Sequence, residues 1–153
     1  MIGNNEILNY LLPKESFLDK PTDIGDGKIT LGSGLTSPKW LELYKKRGNR
    51  WSQEDNRRAV LEEIQNRREW AEKNVPHWME LPEAAQDALI SYRYNYNYTP
   101  KNSPKLFKAL ENRDYREAAR QMDATSDNPK FKEGLLKRRK EEQEWFLSAF
   151  PDL

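Results

Sequence analysis

The chain of 153 residues has no cysteine and one histidine, His77. The first absence excludes disulfides and thiol nucleophiles. The second leaves no partner imidazole for a multi-histidine metal site and makes a histidine-based triad hard to assemble. His77 reads instead as a turn residue beside Trp78. No apolar run approaches the roughly 20 residues of a membrane span, so membrane insertion is not expected. The opening stretch MIGNNEILNYLLPKES has neither a basic start nor a long apolar core, and is not read as a secretory signal. An excess of one charge is missing too. The 26 Lys and Arg nearly balance the 25 Asp and Glu, for a net charge of +1. Bulk attraction to a polyanion does not follow, which argues against nucleic acid as a partner.

What is present is a polar globular composition, 36% apolar and 33% charged. The length fits a single domain over residues 1–153 with two lobes and a real core. A small hairpin lobe is expected at about 14–50, a bridging helix at about 53–74 and a helical lobe at about 76–153.

The organising stretch is Glu15 to Thr36, which holds four of the seven glycines. Asp26-Gly27 signals a tight hairpin turn, because such turns need positive φ. Glu15, Asp19, Asp23 and Asp26 precede or occupy that turn, and Lys28-Ile29-Thr30-Leu31 alternates as a half-buried strand does. A helix end bearing one carboxylate, followed by a hairpin bearing others, can set two carboxylates on either side of a groove. Glycosidic bond cleavage needs that arrangement.

Around this stretch the chain reads as helices. Asn4 or Asn5 can cap a helix over Glu6–Leu12, with Ile7, Leu8, Leu11 and Leu12 on one face and Pro13 ending it. A short helix is expected at Trp40–Tyr44. Ser52-Gln53-Glu54-Asp55 resembles a capping box that opens a long helix to Asn74. Further helices are expected over Ala84–Tyr92, burying Ala85, Ala88, Leu89 and Tyr92, and from Pro104 to Leu110. Two more run over Tyr115–Met122, capped by Asp114, and over Lys132–Phe150, burying Leu135, Leu136, Trp145 and Phe146.

Two motifs invite other readings. Tyr92-Arg93-Tyr94-Asn95-Tyr96-Asn97-Tyr98 could stack on single-stranded nucleic acid, but the balanced charge favours core and groove wall. Lys137-Arg138-Arg139-Lys140 is followed by Glu141, Glu142 and Glu144, and reads as a salt-bridged helix face.

The ordered set of segments resembles the phage-type lysozymes, a family of muramidases. Glu15 precedes Thr30 by fifteen positions, and Thr30-Leu31-Gly32-Ser33-Gly34 follows the family's Thr-apolar-Gly-x-Gly strand. Asp87-Ala88-Leu89-Ile90-Ser91-Tyr92-Arg93-Tyr94-Asn95 resembles the family's Asp-Ala-Leu-apolar-Ser-Phe-x-Phe-Asn helix. Ser103–Leu110, Asp114–Ala119 and Gly134–Arg139 follow in family order. Ser16 stands where the family has glycine, Leu35 where it has histidine and Ile24 where it has its aspartate. The loop Asp19–Gly25 is also similar to the acidic Pro-Asp-x-Gly loop of another muramidase group.

The resemblance implies a mainly helical α+β lysozyme-like fold and hydrolysis of the β-1,4 bond between N-acetylmuramic acid and N-acetylglucosamine. Glu15 would be the general acid, a role for a carboxyl held partly out of water. Asp23, or Asp26 as the alternative, would activate water held by Thr30. Asn95 and Tyr94 would line the sugar groove. No metal and no cofactor is implied. The partner would be bacterial peptidoglycan, with an immunity or delivery protein possible. The protein would be made in the cytoplasm and reach the wall through another system. The shifted aspartate and missing histidine leave two further readings. One is a degenerate lysozyme-fold glycan-binding or structural module. The other is a lytic transglycosylase using Glu15 alone.

Overall fold

The computed structural model describes residues 2–24 and 28–153. Asp26 and the expected Asp26-Gly27 turn lie outside the described residues. Among these residues, seven α-helices accompany one two-stranded antiparallel sheet, the mainly helical α+β class expected. The chain divides into two compact units, Met1–Gln65 and Asn66–Leu153.

The first unit holds α1 (Ile2–Lys14), β1 (Phe17–Asp23), β2 (Ile29–Ser33), α2 (Pro38–Lys46) and the first half of α3 (Gln53–Asn74). Helix α1 begins earlier than expected and runs through Pro13 rather than stopping before it. Proline removes one N–H from the ladder, but the final turn still closes, because the Glu15 N–H donates to the Leu11 carbonyl at 2.9 Å. Asn4 is no cap: its buried side chain donates to Gln65 Oε1 at 2.8 Å. Ile7, Leu8 and Leu11 are buried as the helical spacing requires, and Leu12 is half-buried.

Helix α2 is longer than Trp40–Tyr44 because Pro38, at a first-turn position, presets the helical φ. It ends in a left-handed pair, Gly48 and Asn49, whose N–H groups return to Lys45 and Tyr44. Helix α3 opens on the expected reciprocal cap. The Ser52 N–H donates to Asp55 Oδ2, and the Asp55 N–H donates to Ser52 Oγ, each at 3.0 Å. Asn56, Ala59, Val60, Ile64, Arg68 and Ala71 then form its buried stripe.

The second unit continues with a 3₁₀ turn (Trp78–Glu80), α4 (Glu83–Asn95), α5 (Pro104–Glu111), α6 (Tyr115–Arg120) and α7 (Pro129–Ser148). Helix α4 packs on α7, and α6 packs on both α5 and α7. Ala85, Ala88, Leu89 and Tyr92 are buried as expected. Asp114 caps α6 through the Glu117 N–H, but the helix stops at Arg120, two residues short of the expected end. Helix α7 starts earlier than expected, at Pro129, with Asn128 as its cap. Its buried face departs from the expectation. Leu136 is 50% exposed, while Arg138, Arg139 and Glu142 are buried.

Candidate active site

Glu15 is the first residue beyond α1 and two residues before β1, and it is partly buried. Sheet register then orders the other candidates. Phe17 pairs with Ser33, Leu18 with Gly32, Thr22 with Thr30 and Asp23 with Ile29. Between Leu18 and Thr22 the first strand bulges, spending more residues than its partner. Directly opposed residues share a face of the sheet, and successive residues alternate. Thr30 therefore faces the side of Thr22, where it is buried, and Asp23 faces the other side with exposed Ile29. The register does not bring Asp23 and Thr30 onto one face. Glu15 lies beyond the opposite end of β1 from Asp23.

The Gly-x-Gly pattern has a steric basis here. Gly32 has φ +58°, and a Cβ built on it would lie 2.2 Å from Asn56 Oδ1 and 2.8 Å from Trp51 Nε1. Gly34 is left-handed as well. Asn56 occupies the space that the missing side chain leaves. Its Oδ1 accepts from the Ser33 N–H at 2.8 Å, and its Nδ2 donates to Ser33 Oγ at 2.9 Å. This clamp on β2 has no counterpart in the sequence-based expectations. The available signal was a polar residue on the apolar stripe of α3, four positions before Val60. Leu35, at the family's histidine position, is buried and forms an isolated bridge with Leu31. A cavity of about 440 Å³ on the hairpin, lined mainly by apolar side chains such as Ile29, Leu31, Leu35 and Leu41, includes none of Glu15, Asp23 or Thr30.

In the second unit, Tyr94 and Asn95 end α4. Tyr94 is buried, with the Arg67 guanidinium 4.8 Å from its ring centroid. Asn95 is exposed, and its Oδ1 accepts from Arg139. The aromatic run is taken up by the core rather than offered as a stacking platform. Tyr92 stacks on Tyr98 at 5.3 Å, Tyr98 donates its hydroxyl to the Leu89 carbonyl at 3.0 Å, and the Arg93 guanidinium lies 3.3 Å from the Trp70 ring centroid. Burial pushes the Tyr92 hydroxyl up to about 12 and raises that of Tyr98 as well.

The basic cluster of α7 is salt-bridged as read, but inside the protein. Glu142 is fully buried and takes Arg138 Nε at 3.1 Å, Ser91 Oγ at 2.6 Å and Arg139 Nη1. Arg138 also donates to the Ser91 carbonyl at 3.0 Å, and Arg139 Nε to the Ala124 carbonyl at 2.6 Å. His77 sits in the turn expected for it. Its Nδ1 lies 3.0 Å from Glu80 Oε2, and its Nε2 lies 3.0 Å from the Glu111 carbonyl. Arg113 donates to the same Glu80 carboxylate at 2.9 Å. Among the described residues, no group of three or more His, Cys, Asp or Glu side chains could hold a metal ion, and no helix is long and apolar enough to cross a membrane.

A helix that ends at a partly buried glutamate, a bulged hairpin held by left-handed glycines, and a helical second unit together define a lysozyme-like α+β protein. Residues 13–142 match the phage lysozyme family, and the chain belongs to it. Among solved structures, the active form of the P1 phage endolysin Lyz is similar at 16% identity, covering 98% of this chain and 85% of that one with a TM-score of 0.71. The muramidase domain of SpmX from Asticaccaulis excentricus is similar at 22% identity, covering 93% and 95%, also with a TM-score of 0.71. No curated protein matches the chain.

Proposed function

We propose that the protein cleaves peptidoglycan as a muramidase, at the β-1,4 bond between N-acetylmuramic acid and N-acetylglucosamine, with Glu15 as general acid. The observation that carries this is the family match over residues 13–142, which takes in Glu15, the hairpin and the α4 segment in family order. The names of the two structural relatives, an endolysin and a muramidase domain, point the same way. The Glu15 backbone is held by the last turn of α1, and the residue is half-buried beside the hairpin in sequence. In this reading Asp23 supplies the second carboxylate, Thr30 helps hold the attacking water, and Asn95 and Tyr94 belong to the sugar-binding surface. The protein acts on the wall after delivery by another system.

The test is peptidoglycan clearing by the wild type and Glu15→Gln, with products identified by mass. Replacing the acid by its isosteric amide is expected to lower the rate by at least ~100-fold with folding intact, the lower range for general acid catalysis. Clearing by this variant near the wild-type rate would refute the assignment.

One observation favours a second reading. Thr30 and Asp23 lie on opposite faces of the hairpin, so they do not form an obvious joint cradle for water. A lytic transglycosylase using Glu15 alone needs no such cradle, because the glycan's own hydroxyl closes onto the anomeric carbon. Its products would be lighter than hydrolysis products by one water per cut.

A further inference from the structure

The side-chain amide of Asn95 is locked in one orientation, and this deepens the reading above, on which it rests for the role of Asn95 toward glycan. An asparagine amide offers a carbonyl on one side and an NH₂ on the other, and a free one serves either kind of partner by flipping. Here Arg139 faces it. A guanidinium has only donors, so Oδ1 of Asn95 must be the atom turned toward it.

Arg139 is itself pinned from several sides. Its Nη1 is on Glu142 Oε1, its Nε donates to the Ala124 carbonyl at 2.6 Å, and its guanidinium lies 4.8 Å from the centroid of Tyr92. Glu142 in turn is fully buried and shared with Arg138 and Ser91. A buried carboxylate cannot release such a partner without a large desolvation penalty. The Asn95 oxygen is therefore committed inward. Its Nδ2 has no partner among the described residues, and the residue is exposed.

We propose that Arg139 is a positioning residue that makes Asn95 a one-way hydrogen-bond donor, and that Asn95 Nδ2 reads the acetamido carbonyl of the glycan. The choice of group follows from the locked polarity. Sugar hydroxyls donate as well as accept, so they would be served by either face of a free amide. A carbonyl only accepts, so it is the group that gains from an NH₂ held outward and never flipped.

The test uses the full chain, labelled with ¹⁵N, titrated with oligomers of N-acetylglucosamine and with the same oligomers lacking acetyl groups. The Asn95 side-chain NH₂ resonances should shift with the acetylated ligand and stay in place with the deacetylated one. Asn95→Asp keeps the acceptor for Arg139 but has no donor. It should bind the acetylated oligomer about tenfold more weakly, the value of roughly one hydrogen bond, while the affinity for the deacetylated oligomer, which carries protonated amines, should not fall. Arg139→Lys, also donor-only, should preserve the discrimination. Arg139→Gln, which lets the amide flip, should lose it.

Silence of the Asn95 NH₂ resonances toward the acetylated ligand overturns the proposal, whether or not other resonances move. Equal loss on both ligands in Asn95→Asp overturns it too. The outcome is separable from the hydrolase reading. A wild type that clears peptidoglycan while the Asn95 amide is silent refutes only this inference. Acetyl-dependent shifts in a protein that does not clear refute only the hydrolase.

Discussion

Replacing Gly32 by alanine should damage the hairpin far more than a single added methyl group would in open space. Gly32 holds φ at +58°, a conformation that costs an L-residue roughly 1–2 kcal/mol. The new Cβ would also sit 2.2 Å from Asn56 Oδ1, well inside any tolerable contact. Asn56 is 1% exposed and cannot swing into solvent. Its retreat would break both bonds to Ser33, worth about 1 kcal/mol each, and would leave a buried N–H to be satisfied elsewhere. Together these give a loss of roughly 3–5 kcal/mol, a large share of the 5–15 kcal/mol typical of a folded domain.

Urea denaturation followed by far-ultraviolet circular dichroism measures this loss directly. A double-mutant cycle with Asn56→Ala isolates its cause. Once Asn56 is truncated its clash is gone and only the backbone term, roughly 1–2 kcal/mol, and the 2.8 Å approach to Trp51 Nε1 remain, so Gly32→Ala should cost clearly less than in the wild-type background. The two substitutions should therefore be far from additive. A Gly32→Ala variant within about 1 kcal/mol of wild type, or costs that add to within about 0.5 kcal/mol, would refute the reasoning.

The two-carboxylate mechanism predicts that Asp23→Asn removes most clearing while the melting temperature barely moves. Retained clearing in both Asp23→Asn and Asp26→Asn, with loss in Glu15→Gln, would select the single-carboxylate transglycosylase instead. Asp55 gives a pH test. The Ser52 backbone N–H, the Ser52 hydroxyl and the nearby Arg47 and Arg58 hold its carboxyl below the usual value, against an opposing effect of burial. A depressed carboxylate stabilises above its unfolded pKa, and the contribution fades as pH falls through its folded pKa. Asp55→Ala should therefore lower stability by about 1 kcal/mol at neutral pH, and the gap should narrow in strong acid as the charge-dependent part is lost. Thermal midpoints across pH check this, and a gap that does not narrow in acid would refute it.

Much of the fold was legible because its signals are local. The capping box at Ser52 and Asp55 needs only residues three apart, and the structure forms it reciprocally. The buried positions of α4 follow from helical spacing alone. The failures have two origins, the tolerance of a helix's last turn and tertiary context. Pro13 reads as a stop, yet α1 continues to Lys14, because one missing N–H does not prevent the turn that Glu15 closes on Leu11. Leu136 reads as core and is half-exposed, while neighbouring Arg138 and Arg139 read as surface and are buried. No periodicity in α7 announces that Glu142 will be enclosed and will draw both arginines in with it. Within the candidate site, Glu15 and Thr30 stand out by their spacing. The facing of Asp23 depends on strand register, and the bulge between Leu18 and Thr22 leaves no mark in composition.

The turn at His77 has a consequence for how this protein would read in a mutational scan. His77 and Arg113 each hold φ at 56°, and both are joined to the same Glu80 carboxylate. Backbone strain of roughly 1–2 kcal/mol at each position opposes surface pairing worth about 0–1 kcal/mol. Alanine keeps the strain and discards the pairing, whereas glycine discards both. The same position should therefore register as sensitive in an alanine scan and as neutral or improved in a glycine scan. Thermal midpoints of His77→Ala and His77→Gly would show the split directly. A library scored with either residue alone would misjudge what these two side chains contribute.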